Sequence, residues 1–227
     1  MEFQTKNWFP NDYHGGIMSG VWDEKLLEHW IASEVIGLMK YNKSDIYVDV
    51  AAAGSPWAKV LRERKGITAY PINLDEITST YRSLYYYRIE NATKTTFTDN
   101  SVMGMSLQCA YEMFMGEDDM LFIQEAARIL KPGGKVVILP LYTHTHYCSV
   151  STPDYYGKGC CDPNAQEYIW QDHLGIPSAR HYDAETLKVR VLDTIESLGM
   201  QYKLFALRNK AELGNNIYCH FILEITR

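Results

Sequence analysis

The sequence has no long hydrophobic run, no paired cysteine motif and no excess of basic residues. No segment approaches about 18 consecutive apolar residues, so we predict no transmembrane helix. The five cysteines form neither a Cys-x-x-Cys pair nor a regular framework, which argues against a zinc module or a disulfide scaffold. The net charge of −6 argues against a nucleic-acid or anionic-membrane partner, because both bind basic surfaces.

An export signal is also missing, because the N-terminal residues have no basic start followed by an apolar run. We therefore expect a cytoplasmic protein with reduced cysteines. Hydrophobic residues make up 46% and charged residues 22% of the 227 positions, as in an ordinary globular protein that buries a core without metals or disulfides. We expect a single domain over 1–227, with an N-terminal helical prefix over about 1–42 and an inserted lid over about 142–182.

Hydrophobic spacing predicts that strands and helices alternate along the chain. Helices are predicted over 22–40, about 57–65, 118–130 and about 183–198. Strands are predicted over 46–50, 67–74, 102–107, 135–141, 201–207 and 216–225. This order predicts an α/β fold with a doubly wound, mostly parallel sheet, whose last two strands form an antiparallel hairpin. The nearly continuous apolar run at 135–141 indicates a strand that is covered on both faces.

Ligands of an open parallel sheet bind beyond the carboxyl ends of its strands. Four such ends are readable, near 49–57, 73–76, 91–101 and 108–112. At the first of them, small residues follow Asp49 and precede a predicted helix. Small side chains let a ligand approach the backbone, and the helix N-terminus offers free N–H groups. We therefore expect the functional site at this edge of the sheet.

Three segments near these strand ends resemble a known family. They are residues 97–101 (FTDNS), 111–114 (YEMF) and 125–134 (EAARILKPGG). They are similar to segments of the class I S-adenosylmethionine-dependent methyltransferases, in particular the methyltransferase type 11 group. The resemblance covers about 45–140 by motif and 180–227 by element order. It implies a Rossmann-like methyltransferase fold with S-adenosylmethionine as cofactor and S-adenosylhomocysteine as product, and it suggests the branch found in glycan and surface-polysaccharide biosynthesis.

The resemblance also implies which residues bind the cofactor. They are Asp49, Ala51, Ala53, Gly54, Ser55, Asn73, Leu74, Asn91, Ala92, Gln108 and Cys109. The family's loop normally reads Asp-x-Gly-x-Gly-x-Gly, whereas this chain has Ala51, Ala53 and Ser55 at the glycine positions. A positive φ costs alanine about 1–2 kcal/mol, so either the loop keeps negative φ there or cofactor affinity suffers.

Two further cofactor positions depart from the family. Asn73 holds the place of the acidic residue that accepts hydrogen bonds from both ribose hydroxyls. Asn91, before Ala92, replaces the aspartate that receives the adenine amino group. An asparagine can accept through its carbonyl oxygen but lacks the charge that strengthens the bond.

Methyl transfer from a sulfonium is an in-line displacement, so the protein mainly supplies alignment and a dry pocket. An oxygen acceptor also needs a base, and the candidates are His14, His144, His146, His173 and His181. We prefer His144 and His146 as catalytic residues, because they directly follow the strand at 135–141. The alternative is that both are surface histidines on a loop.

Tyrosine is in excess, with 17 residues in the chain. Ten of them fall between the second and third strand ends or in and beside the lid: Tyr81, Tyr85, Tyr86, Tyr87, Tyr142, Tyr147, Tyr155, Tyr156, Tyr168 and Tyr182. Such rings suit a polar aromatic pocket for a hydroxyl-rich molecule. We predict that the acceptor pocket is lined by His14, Tyr142, Tyr147, Tyr155 and Tyr156.

These observations predict a methyltransferase that acts on a small molecule or sugar by O-methylation. The alternative is a catalytically silent methyltransferase fold that serves as a binding partner or scaffold, which the altered loop favours. A metal site is also weighed, because His144, His146 and Cys148 share one face of an extended chain and Cys160, Cys161 and His173 follow. Without a Cys-x-x-Cys pair, no metal is predicted.

Overall fold

The structure, a computed structural model, describes residues 9–75, 84–152, 162–171, 179–214 and 216–227. The helices of this part are α1 (Trp22–Ile36), α2 (Trp57–Lys65), α3 (Asp118–Ile129), α4 (Ala184–Thr186, Leu187–Leu192 and Asp193–Ser197, the middle part π-helical) and α5 (Lys210–Leu213). The strands are β1 (Ile46–Val50), β2 (Thr68–Asn73), β3 (Arg88–Ile89), β4 (Val102–Gln108), β5 (Leu130–Leu139), β6 (Cys148–Ser151), β7 (Glu167–Trp170), β8 (Ala179–His181), β9 (Gln201–Ala206) and β10 (Phe221–Thr226). None of the described helices combines the length and apolarity needed to cross a bilayer.

Seven strands form the main sheet in the order β3-β2-β1-β4-β5-β10-β9. Strands β1 to β5 pair in parallel, and β10 pairs antiparallel with both β5 and β9. The predicted doubly wound sheet and its antiparallel terminal hairpin are therefore confirmed. The strand order reverses between β1 and β4, which is where such a sheet opens a crevice for ligands.

The core covers both faces of this sheet. Along β5, Val136 and Ile138 pack with α3 and α4 on one face, while Val137 and Leu139 pack with α1 and α2 on the other. All four side chains are fully buried. A strand buried on both faces has no polar face to alternate with, which explains the continuous apolar run.

Two predicted boundaries near β5 and β10 are wrong. Residues 131–134, predicted to separate helix from strand, lie inside β5, which starts at Leu130 directly after α3. Leu130 already pairs with Val102, and a register irregularity before Gly104 accommodates the early start. The last strand begins at Phe221 rather than 216, because α5 occupies part of the connection.

The region 142–182 contains structure that its sequence pattern did not predict. Its described part forms a second sheet in the order β7-β6-β8, with β6 and β7 parallel and β6 and β8 antiparallel. A bridge between Thr143 and Tyr182 joins the two ends of this region. The predicted lid function stays a prediction, and several residues named above lie outside the described part: Tyr81, Tyr155, Tyr156, Cys160, Cys161 and His173.

A buried ionic network attaches this second sheet to the main domain. Asp119 at the start of α3 is fully buried and accepts from the Tyr182 hydroxyl at 2.7 Å and from Arg190 Nη2 at 2.7 Å. Arg180 Nη1 lies 2.9 Å from Asp119 Oδ2, and Arg180 Nη2 donates to Asp162 Oδ2 at 2.6 Å. Each buried charge thus has a counter-charge, as burial of an ion requires.

Candidate functional site

The loop after β1 keeps a glycine-like backbone although it contains alanines. Ala51 has φ 53° and Ala53 has φ 44°, both in the left-handed region. The Ala53 N–H donates to Asn73 Oδ1 at 3.3 Å, and the Ser55 N–H donates to the Ala52 carbonyl at 2.7 Å. Of the two alternatives raised by the sequence, negative φ at these positions is therefore wrong. The loop adopts the strained conformation, at about 1–2 kcal/mol per alanine.

A cavity of about 130 Å³ opens at the carboxyl ends of β2 and β3, beside this loop. Asn73 lies at its rim, where its Nδ2 donates to the Asp75 carbonyl at 2.8 Å. Asn91 Oδ1 accepts from the Thr93 N–H at 2.9 Å. Asn73 Oδ1 keeps a lone pair for a ligand, whereas Asn91 Oδ1 also accepts from the Thr93 hydroxyl at 2.9 Å. The residues that line the cavity are Ala51, Asn73, Leu74, Glu90, Asn91, Ala92, Thr93, Met113, Phe114, Met115 and Asp118.

Asp49 carries a buried carboxyl group next to the loop. It is 1% exposed, and its Oδ2 has no hydrogen-bond partner among the described residues. Burial raises the pKa of Asp49 to about 8, against the opposing effects of the Ser55 hydrogen bond and the Lys25 charge. A buried acceptor without a partner is costly, so the site suits a ligand that brings a donor or a positive charge.

A second polar group lies at the carboxyl end of β4, and we call it the Lys25 cluster: Lys25, Glu28, Cys109, Glu112 and Tyr218. Lys25 Nζ donates to Glu28 Oε2 at 2.6 Å and to Cys109 Sγ at 3.0 Å. The Cys109 thiol donates to Glu28 Oε1 at 3.1 Å and lies 3.4 Å from the Tyr218 hydroxyl. Burial raises the pKa of Cys109 far above its usual range, so the group is a neutral thiol rather than a nucleophile.

Glu112 is the member of the Lys25 cluster with unused hydrogen-bonding capacity. It lies in the turn Tyr111–Met113 after β4 and is 6% exposed. Its Oε2 has no partner among the described residues. Burial, together with the nearby Glu28, raises the pKa of Glu112 to about 8, while the Lys25 charge and a backbone hydrogen bond lower it. This carboxyl group therefore changes protonation close to neutral pH.

Two residues of the N-terminal segment, Tyr13 and His14, pack against His29 of α1. The His14 ring stacks on His29 at 5.6 Å between centroids, and His29 stacks on Trp57 at 4.7 Å. The Tyr13 hydroxyl lies 2.5 Å from His29 Nδ1. Burial and the charge of Lys25 lower the pKa of His14 to about 4, so its imidazole is neutral at pH 7. Its Nε2 is buried without a partner in the described structure.

The predicted acceptor tyrosines have different surroundings. Tyr142 is half-buried and stacks on His181 with ring centroids 5.0 Å apart. Burial raises its pKa, and Cys109 and Glu112 raise it further, which places Tyr142 beside the Lys25 cluster. Tyr147, in contrast, is 2% exposed and its hydroxyl donates to the buried Asp162. The structure therefore brings Tyr142 to the strand ends and packs Tyr147 into the core.

His144 and His146 are exposed, and His144 is close enough to His181, the ring that stacks on Tyr142, to interact with it electrostatically. The Thr145 hydroxyl is 3.5 Å from His144 Nδ1 and 3.1 Å from His146 Nδ1. His144 also lines an apolar cavity of about 370 Å³, bordered by Leu141, Leu187, Leu204, Phe205 and Phe221. Their predicted role as catalytic bases stays a prediction, and these contacts lend it no support.

Sequence reasoning missed Lys25, Glu28, Glu112 and Tyr218. One signal was available in α1, where the acidic residues Glu24 and Glu28 stand four positions apart among residues that a helix buries. Such spacing puts both carboxyl groups on one face. Glu24 accepts from the backbone N–H groups of Tyr218 and Cys219 at 3.1 and 2.9 Å, so that face points to the connection before β10.

Comparison with known proteins agrees with this geometry. Residues 48–138 match a family model described as a methyltransferase domain. The matched part includes β1, β2, β4 and the residues that line the cavity beside Ala51. Among curated proteins, none matches the chain significantly.

Solved structures of several methyltransferases share the fold. A 1,6-didemethyltoxoflavin N1-methyltransferase from Burkholderia thailandensis, with S-adenosylhomocysteine bound, has a TM-score of 0.57 at 10% identity and covers 96% of this chain and 84% of its own. A geranyl diphosphate C-methyltransferase from Streptomyces coelicolor A3(2) has a TM-score of 0.55 at 13% identity, with 92% and 81% covered. An S-adenosylmethionine-dependent methyltransferase from Methanosarcina mazei has a TM-score of 0.52 at 16% identity, with 82% and 94% covered.

At these identities the likeness shows the fold alone, and the family model identifies a methyltransferase domain over residues 48–138. The matched residues are the ones that form the strand ends and the cavity. Residues 48–138 therefore form a methyltransferase domain, and the chain has the fold of S-adenosylmethionine-dependent methyltransferases.

Proposed function

We propose that the protein transfers the methyl group of S-adenosylmethionine to a hydroxyl group of a small polar molecule. The observation that carries this proposal is the unpartnered carboxyl oxygen of Glu112, buried beside the Lys25 cluster at the carboxyl end of β4. A hydroxyl acceptor must lose its proton during transfer, and a buried acceptor atom with a pKa of about 8 suits that task.

The cofactor is proposed to bind along the loop after β1 and the neighbouring strand ends. The cavity beside Asn73, Asn91 and Ala92 combines apolar walls with amide oxygens, which fits an adenosine. The unpartnered Asp49 oxygen fits the ammonium group of the methionine part. The remaining proposed cofactor residues are Ala51, Ala53, Gly54, Ser55, Leu74, Gln108 and Cys109.

When bound, S-adenosylmethionine supplies a methyl group on a sulfonium that is already activated to leave. The protein then has to align the acceptor, exclude water and accept a proton. We assign proton acceptance to Glu112 Oε2, because a general base works best when its pKa lies near the working pH. His14, neutral and with a free Nε2, accepts a hydrogen bond from the acceptor and orients it.

A sugar or a similar hydroxylated metabolite is the proposed acceptor, in line with a role in glycan biosynthesis. Tyr142 and Tyr218 lie beside Cys109 and Glu112, and each offers a ring face and a hydroxyl to such a molecule. The carboxyl groups and the imidazole at the site are hydrogen-bond acceptors, which match the donors of a polyol. A chain with a net charge of −6 gives no support to a nucleic-acid acceptor.

Two further points bear on the proposal. A silent fold would have a blocked cleft, whereas the cavity beside Ala51 is open in the described structure.

Cys109, Cys148 and Cys219 are unpaired thiols. Unpaired thiols support the proposal that the protein works in a reducing compartment such as the cytoplasm.

Methyl transfer can be measured directly with the full-length protein. The protein is incubated with methyl-labelled S-adenosylmethionine and a panel of free and nucleotide-linked sugars, and labelled products are identified by mass spectrometry. We expect label on a sugar oxygen. For Glu112→Gln we expect a loss in rate of about 10²–10⁴-fold, as for removal of a general base, with unchanged calorimetric affinity for S-adenosylhomocysteine.

The matched control is Glu117→Gln, an exposed glutamate in the same segment. This variant is expected to keep both the transfer rate and the S-adenosylhomocysteine affinity. Transfer only to amines in a matched panel, or a full transfer rate in Glu112→Gln, would contradict the proposed chemistry.

A further inference from the structure

We propose that His144, His146 and Glu167 form a binding site for a divalent transition-metal ion such as Zn²⁺. One ligand atom from each of the three side chains lies within 4.8 Å of the other two. The sequence predicts no metal, because Glu167 lies 21 residues beyond His146 and no paired-cysteine motif marks the site. The proposal is independent of the proposed methyl transfer.

The backbone holds the three residues in place before any ion binds. The His144 N–H donates to the Tyr182 carbonyl at 2.8 Å, which ties it to the residue after β8. Glu167 is the first residue of β7 and pairs with Cys148 of β6. His146 lies two residues before β6, and the carbonyl of the next residue, Tyr147, accepts from the Gln166 N–H at 2.8 Å. A site with fixed ligands loses little conformational entropy when it binds an ion.

The donor set determines which ions fit. Imidazole nitrogens suit zinc, nickel, copper and cobalt, whereas magnesium and calcium require mostly oxygen ligands. Two imidazoles and one carboxylate are also the protein ligands of many zinc sites that keep a position for water. Because all three residues are exposed, solvent can complete the coordination of the ion.

The surrounding charges favour a cation. Glu167 itself is acidic, and Asp183 is close enough to His146 for the two to interact electrostatically. Thr145 lies between the two imidazoles, within 3.5 Å of both Nδ1 atoms, and can hold their orientation as the polar neighbours of metal ligands do. A bound ion would link the segment that follows β5 to strand β7 of the second sheet.

The test uses the full-length protein after treatment with a chelator and removal of the chelator. Calorimetry follows the addition of Zn²⁺, with Mg²⁺ as the ion that should not bind. We expect one equivalent of Zn²⁺ to bind and to raise the melting temperature. His144→Ala, His146→Ala and Glu167→Gln are each expected to weaken Zn²⁺ binding about tenfold or more, while His220→Ala, an exposed histidine next to β10, leaves it unchanged.

Cobalt substitution separates this site from adventitious binding to cysteine. Co²⁺ bound by imidazole and carboxylate lacks the thiolate-to-metal charge-transfer band that cysteine ligation produces. Absence of saturable Zn²⁺ binding would overturn the proposal. So would full Zn²⁺ affinity in the His144→Ala/His146→Ala double variant, or a strong thiolate band with Co²⁺. Circular dichroism of the metal-free variants checks that each of them is folded.

Discussion

At the scale of single residues, the main finding is that two alanines take the backbone conformation that glycine adopts freely. Ala51 and Ala53 have positive φ because the turn from β1 to α2 requires it. Replacing either alanine with glycine removes about 1–2 kcal/mol of strain and adds about 0.5–1 kcal/mol of backbone entropy cost. We therefore expect Ala51→Gly and Ala53→Gly each to raise the free energy of unfolding by about 0.5–1 kcal/mol.

Ala52 provides the matched control for these variants. It lies between the two strained residues, is 7% exposed and is not among the residues with positive φ. Ala52→Gly should therefore lower the free energy of unfolding by about 0.5–1 kcal/mol or more. Urea denaturation measures all three variants. Equal destabilisation of Ala51→Gly and Ala52→Gly would show that no strain is stored in the loop.

At the scale of elements, the connection between the second sheet and α3 depends on buried charges. Arg180 of β8 is 2% exposed and lies between Asp119 and Asp162. Arg180→Met keeps the apolar stem but leaves both carboxylates without this partner. Removing one member of a buried ion pair costs about 3–5 kcal/mol, and we expect a loss of that size in the free energy of unfolding.

A surface pair gives the comparison for Arg180→Met. Lys188 Nζ lies 2.6 Å from Asp193 Oδ1, with both side chains largely exposed. Because water screens this pair, Lys188→Met is expected to leave stability unchanged. Chemical denaturation of the two variants under the same conditions decides the matter. If both variants lose the same free energy of unfolding, the network around Asp119 does not attach the second sheet.

At the scale of the whole molecule, buried acids near the strand ends make stability depend on pH. Burial is the largest cause that raises the pKa values of Glu24, Asp49 and Glu112 to about 8. A carboxyl group whose pKa is higher in the folded state contributes stability at low pH, and that stability is lost as pH rises through the folded pKa. That loss starts near the unfolded carboxyl pKa of about 4 and ends near pH 8, so we expect the free energy of unfolding to fall up to about pH 8 and to level off above it, with the slope clearest between about pH 6.5 and pH 8.

Urea denaturation at several pH values in this window measures the slope. Glu112→Gln should reduce the slope, because one of the three groups no longer titrates, and Glu117→Gln, an exposed control, should not. The folded structure lowers the pKa of His14, so this imidazole affects stability only at lower pH. There the free energy of unfolding falls as the pH drops below the unfolded pKa of about 6.5. Stability that rises from about pH 6.5 to pH 8 would contradict the assignment of these buried acids.

Local patterns in the chain were enough to predict most of the elements and several residues that line one cavity. The sequence predicts the bounds of α2 and β1 and the start of α1, whereas α1 ends at Ile36, four residues before the predicted end. The resemblance adds Ala51, Asn73 and Asn91, which do line one cavity. The second sheet escaped prediction because its strands have three or four residues, too few for a period to show.

The Lys25 cluster depends on contacts that no local pattern records. Lys25 and Cys109, whose side-chain atoms are 3.0 Å apart, are separated by 84 positions in the chain. Their meeting follows from the packing of α1 against β4 and β5, which brings Lys25 to Cys109 just after the end of β4. The sequence alone determines most of the elements, their order and the resemblance to methyltransferases, because hydrophobic periodicity and motifs are properties of neighbouring residues. Only the folded chain decides which buried charges share a pocket, because the packing of distant elements brings them together.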